Sequence, residues 1–139
     1  MAEATIKWLE AKRFVGIDST NHGIVLAVPG EEEGGIGVKP SELMLLALGG
    51  CTAVDVVGIL QKKRQKLTGF EIRVTGSQQA DPPWTFQQFH IHYIVKGRGL
   101  SRKAVEDAIH LSHEKYCSVS ATLRLAVPIT DDFEIVEDE

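Results

Sequence analysis

Cysteine is scarce in this chain. Cys51 and Cys117 are the two in 139 residues, and two thiols cannot build a disulfide framework. Neither lies in a CxxC pair, no HExxH is present, and there is no Walker loop, GxGxxG or GxSxG. Gly34-Gly35-Ile36-Gly37 is glycine-rich and precedes a helix, but it lacks the strand-turn-helix context that cradles phosphate. Positive charge is also short: 15 Lys and Arg face 19 Asp and Glu, for a net charge of −4. That balance gives no reason to expect nucleic acid or an anionic membrane surface as a partner. The opening residues, Met1-Ala2-Glu3-Ala4-Thr5-Ile6, have neither the basic nor the apolar region of a signal peptide. No repeat or low-complexity tract occurs. A cytoplasmic protein is expected, and in that compartment a static disulfide is not. The cysteines then read as reactive, metal-binding or core residues.

The chain is 43% hydrophobic, enough at this length for one soluble domain over residues 1–139 with a proper core. Its main feature is an apolar run from Leu43 to Leu60 with one charge, Asp55, and Gly49-Gly50-Cys51 at the middle. Pro40 suits a first helical turn, Glu42 favours the positive pole of the helix, and Lys62 to Lys66 suit the other end. The run predicts a helix reaching about Lys66. A helix apolar all round must be enclosed by protein or lipid. Gly-Gly and a central Asp are poor membrane material, so the expected enclosure is protein.

Around this helix, Thr5–Trp8, Arg13–Asp18 and Ile24–Val28 read as a meander of three strands, the third fully buried. Pro29–Gly37, with three consecutive glutamates, reads as a solvated loop. Phe70–Thr75 and Phe89–Val95 form an antiparallel pair across Asp81-Pro82-Pro83-Trp84. Ser101 caps a second helix over Arg102–Lys115, with Val105, Ala108, Ile109 and Ser112 on one face. Phe133–Val136 is a last short strand. The order βββ-α-ββ-α-β is α+β, with antiparallel sheet packed on helices.

For chemistry, Cys51 and Cys117 stand first. Two readings stay open: buried core cysteines, or a reactive pair. A reactive thiol needs a nearby cation or helix N-terminus, and mid-helix Cys51 has no N-terminus of its own. Asp55, one turn on, opposes ionisation, so Arg13 on the second strand is the candidate cation, with a solvated surface arginine as the plain alternative. Asp55 itself reads as an enclosed carboxylate or as one bonded to backbone. His90 and His92 share a strand face, and His110 and His113 flank the end of the second helix. A metal site using His90, His92 or the cysteines is one option; a polar strand face is the simpler one.

Pro40-Ser41-Glu42-Leu43-Met44-Leu45-Leu46-Ala47-Leu48-Gly49-Gly50-Cys51 resembles the P-x-E-L and A-x-x-x-C segment of the OsmC/Ohr family. These are the osmotically induced protein C and organic hydroperoxide resistance proteins. Leu100-Ser101 and Lys115-Tyr116-Cys117-Ser118-Val119 resemble the family's second cysteine segment, in a wording nearest the less characterised OsmC-like branch. The resemblance implies an intertwined homodimer, with antiparallel β-sheets of both subunits wrapped around two long central helices. It implies a thiol-dependent peroxidase acting on organic hydroperoxides. Cys51 would form a sulfenic acid, Cys117 a disulfide with it, and an external dithiol, dihydrolipoyl or a small thiol, would restore both. Arg13 would be the activating arginine and Glu42 its carboxylate partner, with no metal or organic cofactor required. Nine positions separate Glu42 from Cys51, roughly 13 Å along an ideal helix. Either the helix breaks at Gly49-Gly50, or Glu42 serves the cysteine of the other subunit. A rival reading of the same dimer is a protein that binds an apolar ligand in its interface pocket, with both thiols inert.

Overall fold

The computed structural model describes residues 1–28 and 36–139. The predicted loop Pro29–Gly37, with its glutamates and the first two glycines of the Gly-rich stretch, falls outside these except for Ile36 and Gly37. The described residues form two compact units, Met1–Met44 and Leu45–Glu139.

The first unit is an antiparallel meander of β1 (Ala4–Glu10), β2 (Arg13–Asp18) and β3 (Gly23–Ala27). The β2–β3 turn is tied by Asp18. Its carboxylate accepts the N–H groups of Thr20 and His22, both at 3.0 Å, while Asn21 takes a left-handed φ of 66°. These bonds hold the Asp18 carboxyl below its ordinary pKa. Leu26 and Ala27 are buried, whereas Ile24 and Val25 remain exposed, so the expectation of a fully buried third strand holds only at its end. Val38 bonds back to Val25, and Pro40–Glu42 makes a short 3-10 turn into the next helix.

The second unit carries a three-stranded sheet, order β4 (Lys66–Gln78), β5 (Phe86–Arg98), β6 (Ile129–Glu137). β4 and β5 are antiparallel; β6 joins β5 in parallel, which requires the helical crossover between them. Helix α1 (Leu43–Lys62) begins at the unit boundary and runs unbroken through Gly49-Gly50. It stops at Lys62, short of the expected Lys66, because Arg64 turns left-handed (φ 57°) and the Gln65 N–H closes on the Leu60 carbonyl at 3.0 Å. Leu48, Thr52, Val56 and Leu60 repeat every fourth residue and are buried. Leu46 and Val54, on other faces, are exposed, so within one chain the helix is enclosed on one side rather than all round. By length and composition alone, Pro40–Lys62 would suffice to cross a membrane.

Helix α2 (Arg102–Leu111) starts at Ser101, whose hydroxyl accepts the Ala104 N–H at 3.2 Å. Its apolar face, Ala104, Val105, Ala108 and Ile109, is buried, as are Phe89, Ile91, Tyr93 and Val95, the alternate residues of β5. Each large side chain so buried is worth about 1.5–3 kcal/mol. The pairs Arg102–Glu106 and Lys103–Asp107 on the outer face are worth under about 1 kcal/mol each. The apolar faces therefore hold this unit together.

Candidate active site

Helix periodicity puts Cys51 and Asp55, four residues apart, on one face of α1. The second thiol arrives by an irregularity that the helical pattern did not predict. After Leu111 the chain widens into a π turn over Ser112–Tyr116, closed by the Cys117 N–H on the Ser112 carbonyl at 2.8 Å. Cys117 is extended and caps a third helix, α3 (Ser118–Leu123), its Sγ accepting the Ser120 N–H at 3.3 Å. The predicted helix Arg102–Lys115 is thus a shorter helix that opens into a wide turn, and a second short helix follows beyond it. The outcome is that Cys51 Sγ, Cys117 Sγ and an Asp55 carboxylate oxygen lie within 4.8 Å of one another. Both cysteines are free thiols, Cys117 buried and Cys51 half-buried. Burial pushes the Cys117 thiol up to about 11, with Cys51 beside it adding to the shift, so Cys117 keeps its proton at neutral pH.

Beneath the thiols runs a chain of buried hydroxyls. Ser112 Oγ lies 3.0 Å from Asp55 Oδ2 and 3.1 Å from Thr52 Oγ1, and Thr52 Oγ1 lies 2.8 Å from Tyr93 Oη. Tyr93 Oη is 3.2 Å from His113 Nε2, and His113 Nδ1 is 2.9 Å from Ser120 Oγ. A carboxylate only accepts, and Ser112 has a single hydroxyl hydrogen. Ser112 Oγ therefore shares its one hydrogen between Asp55 and Thr52, and the Thr52 and Tyr93 hydroxyls bond each other. Burial holds His113 below its ordinary pKa, so its ring is neutral at pH 7, one nitrogen donating and the other accepting between Tyr93 and Ser120. Burial likewise raises the Tyr93 phenol, which stays a donor. Among the described residues no buried side-chain polar atom lacks a partner. Asp55 also lines an open groove of about 450 Å³ with Val54, Gly58, Ile59, Leu111 and Tyr116, and with Lys62 and Lys63.

The other expected site residues lie in the first unit. Arg13 opens β2 and pairs with Glu10 at 3.3 Å; Glu42 ends the 3-10 turn before α1 and is exposed. His90 and His92 both bond Asp132, at 2.9 and 2.8 Å, across the β5–β6 pair, and they hold its carboxyl below the ordinary range. His110 and His113 share a cleft of about 320 Å³ with Asp131 and Arg124. Sequence reasoning missed Thr52, Tyr93 and His113 as neighbours of the site. One signal was available: Ser112 is a hydroxyl on the otherwise apolar face of the second helix.

A family model described as OsmC-like protein matches residues 30–131. The chain belongs to the OsmC-like family. Protein YhfA of Escherichia coli K12 is 41% identical over 137 residues, covering 96% of this chain and 98% of its own. A hypothetical protein of Aquifex aeolicus VF5, known by its crystal structure, is 29% identical with a TM-score of 0.87, over 100% of this chain and 98% of that one. The organic hydroperoxide resistance protein OhrB of Bacillus subtilis shares the fold at a TM-score of 0.65 and 16% identity, covering 96% and 98%. The mixed α+β fold with its two sheets is therefore that of the OsmC and Ohr proteins.

Proposed function

We propose that this OsmC-like protein is a cysteine-based peroxidase that reduces organic hydroperoxides in oxidative-stress defence. One observation carries the reading: two thiols 66 positions apart in sequence lie within 4.8 Å, where one can resolve the oxidised form of the other. Cys51, half-buried beside the open groove, is the nucleophile. Its thiolate attacks the outer peroxide oxygen, the O–O bond breaks, and the alkoxide leaves as alcohol after taking a proton; Cys51 becomes a sulfenic acid. Cys117 then attacks that sulfur, the S–O bond breaks, and water leaves behind a Cys51–Cys117 disulfide. An external dithiol, of the dihydrolipoyl kind or a small thiol, restores both thiols. No metal or organic cofactor enters this cycle.

The working unit in this reading is the intertwined homodimer of the cytoplasm, with α1 of each subunit at its centre. The exposed Leu46 and Val54 on α1 support it, being large apolar side chains that a second copy would cover. Arg13 is the activating cation and Glu42 its carboxylate partner. The continuity of α1 through Gly49-Gly50 supports Glu42 acting on the cysteine of the other subunit. The groove of about 450 Å³ beside Asp55 favours a second reading, a holder of an apolar ligand with inert thiols. Reduced protein exposed to an organic hydroperoxide, with thiols counted and the bond mapped by mass spectrometry, separates the two. Peroxidase action requires loss of both thiols to a Cys51–Cys117 bond, and no turnover in Cys51→Ser. Thiols that survive excess peroxide would put the ligand-binding reading first.

A further inference from the structure

Asp55 has no part in the cycle above, yet it is the one charge in the apolar run and its carboxylate is held in place from behind. We propose that the reduced Cys51–Asp55–Cys117 cluster is a binding site for a thiophilic divalent cation of the Zn²⁺ type. Two thiolates and a carboxylate are a donor set that suits Zn²⁺, and three protein ligands leave a fourth position for water or another ligand. In a tetrahedral site with ordinary Zn–S and Zn–O lengths the donors stand roughly 3.3–3.8 Å apart. The donors here already lie within 4.8 Å of one another, so side-chain adjustments of about an ångström close the site. Cys51 and Asp55 come from one helical face, a rigid pair, and Cys117 from the cap of α3.

The surroundings are those that metal ligands require. Ligating carboxylates are held by further hydrogen bonds, and such supports are commonly worth 10–100-fold in affinity. Ser112 donates to Asp55 Oδ2 at 3.0 Å, and Thr52 and Tyr93 in turn fix Ser112, leaving the other carboxylate oxygen for the cation. The Ser120 N–H already points at Cys117 Sγ at 3.3 Å, a bond that stabilises a thiolate. The histidine pair on the sheet is a poorer site, because His90 and His92 already share one oxygen of Asp132.

Binding replaces two thiol protons: one Zn²⁺ enters and two protons leave. Because the same sulfurs are used, cation binding and disulfide formation exclude each other. Oxidation of the loaded site by a hydroperoxide consumes two protons and yields disulfide, free Zn²⁺, alcohol and water. That consequence rests on the peroxidase reading; the binding does not.

The test titrates reduced, chelator-stripped full chain with Zn²⁺ against a chromophoric chelator, with diamide-oxidised protein as control. The expected result is one Zn²⁺ per chain, none after oxidation, loss of the site in Cys51→Ser and Cys117→Ser, and at least about tenfold weaker binding in Asp55→Asn. His90→Ala/His92→Ala should bind as wild type. Wild-type affinity in Asp55→Asn, or loss in the histidine variant alone, would overturn the assignment. Should a cysteine variant fail to fold, Co²⁺ on the wild-type chain decides: a thiolate charge-transfer band of two sulfurs supports the site, and its absence refutes it. A wild-type chain that binds Zn²⁺ but shows no reaction with hydroperoxide would remove the peroxidase reading and leave the metal site standing.

Discussion

Tyr93→Phe isolates the hydroxyl chain under the thiols. Tyr93 is fully buried, and phenylalanine keeps its ring and packing, so no cavity term is expected. What is lost is one oxygen between Thr52 and His113. Thr52 keeps Ser112 at 3.1 Å and loses only its bond to Tyr93. His113 Nε2 loses its 3.2 Å partner, and its next neighbour, Asp131, stands at 3.6 Å, too long for a good bond. A buried polar group left without a partner costs about 1–3 kcal/mol, and His113, part-buried and lining a cleft, falls at the low end. Taking about 1 kcal/mol, and about 2–4 °C per kcal/mol for a chain of this size, Tm should fall by about 2–4 °C. Urea unfolding of the reduced protein at one fixed chain concentration is the assay, with an unchanged m-value as the check that the native state is intact. Thr52→Val removes the bridge between Ser112 and Tyr93 and should cost at least as much. The double variant should depart from additivity by more than about 0.5 kcal/mol. A Tyr93→Phe protein within about 0.5 kcal/mol of wild type, or strict additivity with Thr52→Val, would refute the chain as a connected network.

Three further expectations follow from other parts of the molecule. A methyl group at Gly49 would stand 2.9 Å from Val74 Cγ2 and 3.3 Å from Ile72 Cγ2. Gly49→Ala should therefore destabilise despite the helix preference for alanine, since overpacking costs about 1–3 kcal/mol against a gain of up to about 1; a raised Tm would contradict the close approach of α1 to β4. Because burial depresses the pKa of His113, the folded state resists its protonation. Stability is complete above the ordinary histidine value of 6.5 and declines as pH falls through and below it. Urea midpoints between pH 7.5 and 5.5 should drop less in His113→Gln, and equal slopes would sink that account. Val54→Glu puts a charge on an exposed apolar face of α1 and should convert the proposed dimer to monomer by light scattering; an unchanged mass would move the interface elsewhere.

Much of the fold was legible because local rules govern it. Alternation placed Phe70–Thr75 inside β4, and the strands read at Arg13–Asp18 and Phe89–Val95 fall on β2 and inside β5. Ser101 was readable as a cap because capping is decided by one hydroxyl and one N–H three residues on. The end of α1 was not readable, since Arg64 takes the left-handed turn with no glycine to announce it. The split of the second helix was hidden as well. Ser112 through Tyr116 carry no breaker, and the widened turn shows only in the bond from the Cys117 N–H to the Ser112 carbonyl.

The site divides along the same line. Two cysteines in recognisable segments, and a lone aspartate one helical turn after the first, are facts of the chain order, and helix geometry alone sets Cys51 and Asp55 on one face. That Cys117 meets them depends on folding, because a π turn and the cap of α3 aim its sulfur back at α1. The same holds for Thr52, Tyr93 and Ser112. They come from a helix, a strand and a turn, 41 and 60 residues apart along the chain, and hydroxyls so distant become partners only when burial leaves them no water to bond instead.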